Sequence, residues 1–208
     1  MKDSTSPLPV PPTPSEIEDA KRELEAAADA RDKTERAATI AIFLDGECVH
    51  ERRSHAAIKK AFHLSHWAVV VVSPKLDSER YDNIVSVRTI DEGQVLARSV
   101  ACVNCADEAI VSKALLMGVP QIMLVREESA DGDENADDEA AVAAPNEHAD
   151  KVVELGAGVT LPVGKEIEPD SLRALVESVL NDESYAKAAQ KVSKQLLSPE
   201  SKKRKKKS

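Results

Sequence analysis

Aromatic side chains are scarce in this chain: two Phe, two Tyr and one Trp among 208 residues. Hydrophobic residues still make up 42% of the sequence, enough for a core, and that core has to be aliphatic and alanine-rich. Cysteine is scarce as well. Cys48, Cys102 and Cys105 are too few, and odd in number, for a disulfide framework. No apolar segment follows the opening MKDSTSPLPVPPTPS, so no signal peptide is expected. The longest apolar run, Trp67 to Val72, falls far short of the ~20 residues a membrane span needs. These absences predict an intracellular, cytoplasmic or nuclear, protein with reduced thiols. A net charge of −9 argues against a general nucleic-acid surface. No P-loop, G-x-S-x-G or G-x-G-x-x-G motif occurs.

What is present is a regular alternation of short apolar runs and helical patterns. The run Lys113 to Val125, KALLMGVPQIMLV, condenses it. An apolar helical turn ends at Gly118, where a helix C-terminus favours φ > 0, and Pro120 then starts an extended segment, Gln121 to Val125. That is the αβ half of a βαβ unit. Further strands are expected at Thr39–Leu44, Trp67–Ser73, Asn83–Val87, Val100–Asn104 and Gly158–Leu161. Helices are expected at Glu51–Phe62, Gly93–Ala97, Asp107–Met117, Asn146–Leu155, from Pro169 onward, and at Tyr185–Leu197. Near-continuously apolar strands alternating with helices predict an α/β fold, a Rossmann-like parallel sheet covered on both faces.

The flanks have different textures. Pro7, Pro9, Pro11, Pro12 and Pro14 crowd residues 1–14, which predicts a disordered arm. Ser15 with Glu18 reads as a capping box opening a charged, solvated helix over 15–37. The α/β domain then occupies 38–198. Residues 127–140 carry eight acids in fourteen positions and read as a disordered insertion. Residues 199–208 form a basic tail with six consecutive cations, Lys202–Lys207, a candidate ligand for a nuclear import receptor.

Three constellations invite chemistry. Cys102-Val-Asn-Cys105 has redox spacing, but Cys102 falls inside a strand, and no second cysteine pair completes a zinc site. Buried structural thiols are the expectation. His50-Glu51 with His55 places its histidines five apart, about 140° around a helix, so they cannot share a metal as a four-residue spacing would. Asp131-Gly-Asp133-Glu-Asn135 lacks the glycine and the glutamate of a calcium loop, which fall on Ala136 and Val142.

The residues also carry a resemblance. GVPQIMLV followed by HADKVVELGAGVTL resembles the C-terminal, donor-binding domain of UDP-sugar glycosyltransferases of the two-domain GT-B fold. TIAIFLDGE is similar to the first strand and glycine loop of that domain, with Gly46 in the loop. NIVSVRTIDEGQVLARS resembles the family's NVxVxxWVPQxxLL segment, VACVNC the strand before its His-Gly-Gly signature, and SLRALVESVLNDESYAKAAQKVSKQLL its terminal helices. The resemblance covers about residues 38–198.

The resemblance implies donor-site positions, most of them substituted here. Counting from GVP, the His-Gly-Gly falls on Cys105, Ala106 and Asp107. The phosphate-holding hydroxyl residue falls on Ile110 and the ribose-binding glutamate on Lys113. The uracil-stacking tryptophan falls on Thr89 and the glutamine after it on Glu92. The sugar-binding Asp/Gln pair falls on Ala144 and Pro145. An aspartate beside a diphosphate repels it, and losing the tryptophan removes ~1–3 kcal/mol of stacking. Several such losses push a micromolar site beyond millimolar. The implied function is a glycosyltransferase-like protein degenerate in donor binding, with a binding or regulatory role, no catalytic residue, no metal and no cofactor. The alternative is an active UDP-sugar-dependent hexosyltransferase subunit with a partner chain supplying the acceptor domain, as in the split transferases that make lipid-linked oligosaccharides. A redox or metal protein built on Cys102 and Cys105 is the third reading.

Overall fold

The structure, a computed structural model, describes residues 12–31, 38–44, 49–126, 139–164 and 166–198. Gly46, Cys48, residues 1–11, most of the acidic stretch (127–138) and the basic tail lie outside them.

In chain order the elements are α1 (Pro14–Arg31), β1 (Thr39–Phe43), α2 (Glu51–Phe62), β2 (Ala68–Val72), β3 (Glu79–Tyr81), β4 (Ile84–Val87) and α3 (Glu92–Leu96). Then follow β5 (Ser99–Asn104), α4 (Glu108–Met117), β6 (Gln121–Arg126), α5 (Glu139–Glu154), β7 (Gly158–Val163), α6 (Pro169–Asn181) and α7 (Glu183–Leu197). One sheet runs β3-β4-β2-β1-β5-β6-β7. Every neighbouring pair is parallel except β3 with β4. The chain is thus the expected α/β, Rossmann-like sheet, with one antiparallel edge.

Period-2 alternation splits the strand side chains between two cores. Ile40, Ile42, Ala101, Val103, Ile122 and Leu124 face a layer made by α2 and α6, with Phe62, Ile58, Leu172 and Val176. Ala41, Phe43, Cys102 and Met123 face the other layer, where Leu96, Leu115, Val152 and Val192 come from α3, α4, α5 and α7. Cys102 and Cys105 therefore belong to opposite faces of the sheet. Both are buried, and burial raises the Cys102 thiol to about 12, so the pair behaves as core rather than as a redox couple.

Three expectations need correction. The capping box of α1 is one turn-start earlier: Glu16 N–H donates to Thr13 Oγ1 at 3.3 Å, and Thr13 N–H to Glu16 Oε2 at 2.6 Å. Pro14 takes the first helical position, where its missing N–H costs nothing. Nor is α1 a solvated helix, since Ile17 and Ala20 are buried and Leu24 packs against the α3–α4–α7 core. Finally, β3 was not expected as a strand. All three of its residues are exposed, so it carries no apolar signal.

The helix stop at Gly118 forms as the sequence predicts. Its φ is +69°, and its N–H and that of Val119 return to Leu115 O and Ala114 O at 3.2 and 3.0 Å. A Cβ at Gly118 would stand 3.3 Å from Gln190 Cα of α7, so glycine also permits the close approach of that helix.

Candidate functional site

From β1 the chain crosses to β2 on one side; from β4 it returns through α3 to β5 on the other. The connections therefore diverge at β1 and β5, and the crevice beyond their carboxyl ends is where open α/β sheets bind ligands. A crevice of about 360 Å³ lies there. The strand ends supply Phe43, Leu44, Val72, Pro74, Asn104 and Cys105. The β4–α3 segment supplies Arg88, Thr89, Ile90 and Glu92, and the start of α4 supplies Asp107 and Ile110. A second hollow, about 460 Å³, overlies the lysine-bearing face of α7 alone and brings no second element's polar groups to it among the described residues.

Of the ten positions marked in the sequence, Thr89, Glu92, Cys105, Asp107 and Ile110 line this one crevice. Ala106, between Cys105 and Asp107 in the chain, is fully buried in the core, with φ +58°. That left-handed backbone favours glycine, which is the residue the resemblance implies for position 106. Here alanine bears it, at a cost of about 1 kcal/mol. Asn104 Oδ1 accepts from Ala106 N–H at 2.8 Å and steadies the bend. Asn104 is itself held by Gln121 Oε1 at 3.0 Å, and Gln121 Nε2 donates to Val111 O at 3.3 Å. This fully buried amide pair links the ends of β5 and β6 to α4.

Asp107 caps α4. Its Oδ1 accepts from Ile110 N–H at 3.0 Å, so the helix N-terminus is already bonded to a carboxylate of its own chain. Lys113 does not project into the crevice. Its Nζ lies 2.5 Å from Glu92 Oε2, so two positions marked in the sequence satisfy each other. Arg88 is likewise engaged: Nε donates to Leu76 O at 3.1 Å, and the guanidinium pairs with Asp77 at 2.5 Å. Glu23 of α1 packs against Gly93, where a Cβ would collide with its carboxylate, and burial followed by the Asp91 charge raises its pKa.

Arg88 and Asn104 went unmarked in the sequence. Their position just past β4 and at the end of β5 was the available signal, because their partners, Asp77 and Gln121, are visible only in three dimensions. Gly46 lies outside the described residues. Ala144 and Pro145 fall within α5, whose side chains are described only from Glu147 onward. No group of three or more metal-ligating side chains forms among the described residues.

The fold recurs in solved glycosyltransferases. The calicheamicin glycosyltransferase CalG4 superposes with a TM-score of 0.63 at 23% identity, over 78% of this chain and 40% of that one. The glycosyltransferase SnogD from Streptomyces nogalater gives 0.57 at 20% identity, over 80% and 40%. VinC, solved in complex with dTDP, gives 0.57 at 21% identity, over 80% and 39%. No family model and no curated protein matches the chain. The chain therefore has the Rossmann-like fold of a GT-B glycosyltransferase C-terminal domain, and it spans about 40% of the length of these enzymes. No helix among the described residues is long and apolar enough to cross a membrane.

Proposed function

We propose that this protein is a glycosyltransferase-like domain degenerate in donor binding, and that it acts as a binding or regulatory protein rather than as a transferase. The observation that carries the reading is the start of α4. Asp107 holds the amide that an anionic donor would need, and Lys113 is tied to Glu92 instead of presenting a free acid to a ribose. A diphosphate entering the crevice would meet a carboxylate that already holds the Ile110 N–H of the helix N-terminus. If UDP bound at 10 μM, 1 mM of it would stabilise the fold by about 2.7 kcal/mol. For a domain of this size that is a rise of roughly 5–10 °C in melting temperature. We expect no measurable rise; a shift of that size would refute the reading.

The share of the solved enzymes that the chain spans favours a second reading. A partner chain carrying the acceptor-binding half would complete a UDP-sugar-dependent transferase around this crevice, and such a complex would show UDP-dependent transfer that neither chain shows alone. For the tail, Lys202–Lys207 suits recognition by a nuclear import receptor. Removing residues 202–208 should then redistribute a tagged protein from the nucleus, and equal distribution of both forms would refute it.

A further inference from the structure

The crevice contains about 360 Å³, within the size range of small-molecule sites, and half of its lining residues are aliphatic or aromatic. Its ligand class follows from which polar groups remain uncommitted. Arg88, its one lining cation among the described residues, is held by Asp77 and Leu76 O. Behind it Lys113 is held by Glu92. Two donors that a bound anion could use are also engaged, Ala106 N–H by Asn104 Oδ1 and Ile110 N–H by Asp107 Oδ1. The acceptor side is different. Asp107 is exposed, uses one oxygen for its cap, and forms no ion pair among the described residues. Exposed Thr89 lines the same crevice with no side-chain hydrogen bond there. Among the described residues lining it, the paired charges cancel and Asp107 leaves one negative charge in excess.

Building on the reading that nucleotide donors are not held, we infer that this crevice binds a small molecule with an apolar body and a cationic ammonium group, the body lying against Phe43, Leu44, Ile90 and Ile110 and the cation on the Asp107 carboxylate. An ammonium needs acceptors and supplies its own protons, which is what the crevice lacks. An anion would meet the Asp107 charge, and to use Arg88, Lys113, Ala106 N–H or Ile110 N–H it would have to break a pair already made.

Three indoles of like size and different charge test this by amide NMR on the full chain: tryptamine, neutral tryptophol and anionic indole-3-propionate. Tryptamine should shift the amides of Thr89, Cys105 and Ile110 and bind about tenfold or more tighter than indole-3-propionate, with tryptophol between. Asp107→Asn keeps a capping side chain, since Asn serves that position as well as Asp, but removes the charge. It should bring tryptamine down to the tryptophol level while the spectrum stays folded. Equal or tighter binding of indole-3-propionate, no tryptamine shifts at the crevice, or unchanged tryptamine affinity in Asp107→Asn would each overturn the inference. UDP in the same experiment separates the two claims: tight UDP binding sinks the proposed function, whereas silence from both UDP and tryptamine sinks only this inference.

Discussion

The two ends of α4 are both entered through left-handed backbone, and they differ in what the chain has put there. At the C-terminal end Gly118, with φ +69°, takes the conformation freely and lets α7 approach. At the N-terminal end Ala106, with φ +58°, takes nearly the same conformation with a Cβ, and Asp107 behind it caps the helix with its own carboxylate. The C-terminal end holds α4 against α7, where Ser193 Oγ also donates to Leu116 O at 2.6 Å. The N-terminal end borders the crevice. One helix thus joins a corner that builds the fold to a corner that borders the crevice. The difference teaches that the same backbone conformation can be met by glycine where a helix packs and by alanine where a cavity opens.

Breaking the first corner should cost most. Gly118→Val forces a β-branched residue into left-handed backbone and against Gln190 Cα. Urea denaturation should show a loss of about 2–3 kcal/mol. A loss under half of that would mean the corner relaxes and α7 is not held by it. The second corner should respond on a smaller scale and in two directions. Asp107→Ala removes the cap and should cost about 1 kcal/mol. Ala106→Gly relieves the strained backbone and should gain roughly 0.5–1 kcal/mol. If Ala106→Gly destabilises instead, the bend is not strained and the contrast between the two ends loses its basis.

Acid should act away from both corners. His55 of α2 lies at 2.6 Å from Ser86 Oγ and 3.6 Å from Glu79 Oε1, with Lys59 also paired to Glu79. Burial, then the Lys59 charge, depresses its pKa below the ordinary histidine value, against an opposing pull from Glu79. The folded state therefore prefers the neutral ring. Its contribution is present above the unfolded pKa near 6.5 and is lost as pH falls through the lower folded value. Stability between pH 7 and 5 should fall less in His55→Gln than in the parent, and hydrogen exchange should open at α2 and β3 before α4. An unchanged pH slope would exclude His55 as the acid-sensitive group.

The same contrast explains what the sequence disclosed. The 51–62 helix and the Gly118-Val-Pro120 stop were legible because local rules fix them: an apolar face at helical spacing, then a glycine and a proline. The crossover order followed from continuous apolar strands. β3 was illegible because Glu79, Arg80 and Tyr81 are all exposed, and what holds them is pairing with β4 and contacts with Lys59 and His63 of the neighbouring chain segment. The cap of α1 was misplaced because Thr13-x-x-Glu16 and Ser15-x-x-Glu18 both fit the pattern, and only the position of Pro14 separates them. At the crevice, counting from Gly118 brought five marked residues to one place. It could not show that Lys113 and Glu92 neutralise each other, or that Asp107 acts on its own helix, since those are contacts and not spacings.

The claim that the crevice has given up its donor is tested most directly by calorimetric titration of the full-length protein with UDP. No heat assignable to binding tighter than about millimolar is expected, because Asp107 occupies the helix terminus and Lys113 is tied to Glu92. A micromolar constant that Asp107→Asn strengthens further would contradict that account and restore the transferase.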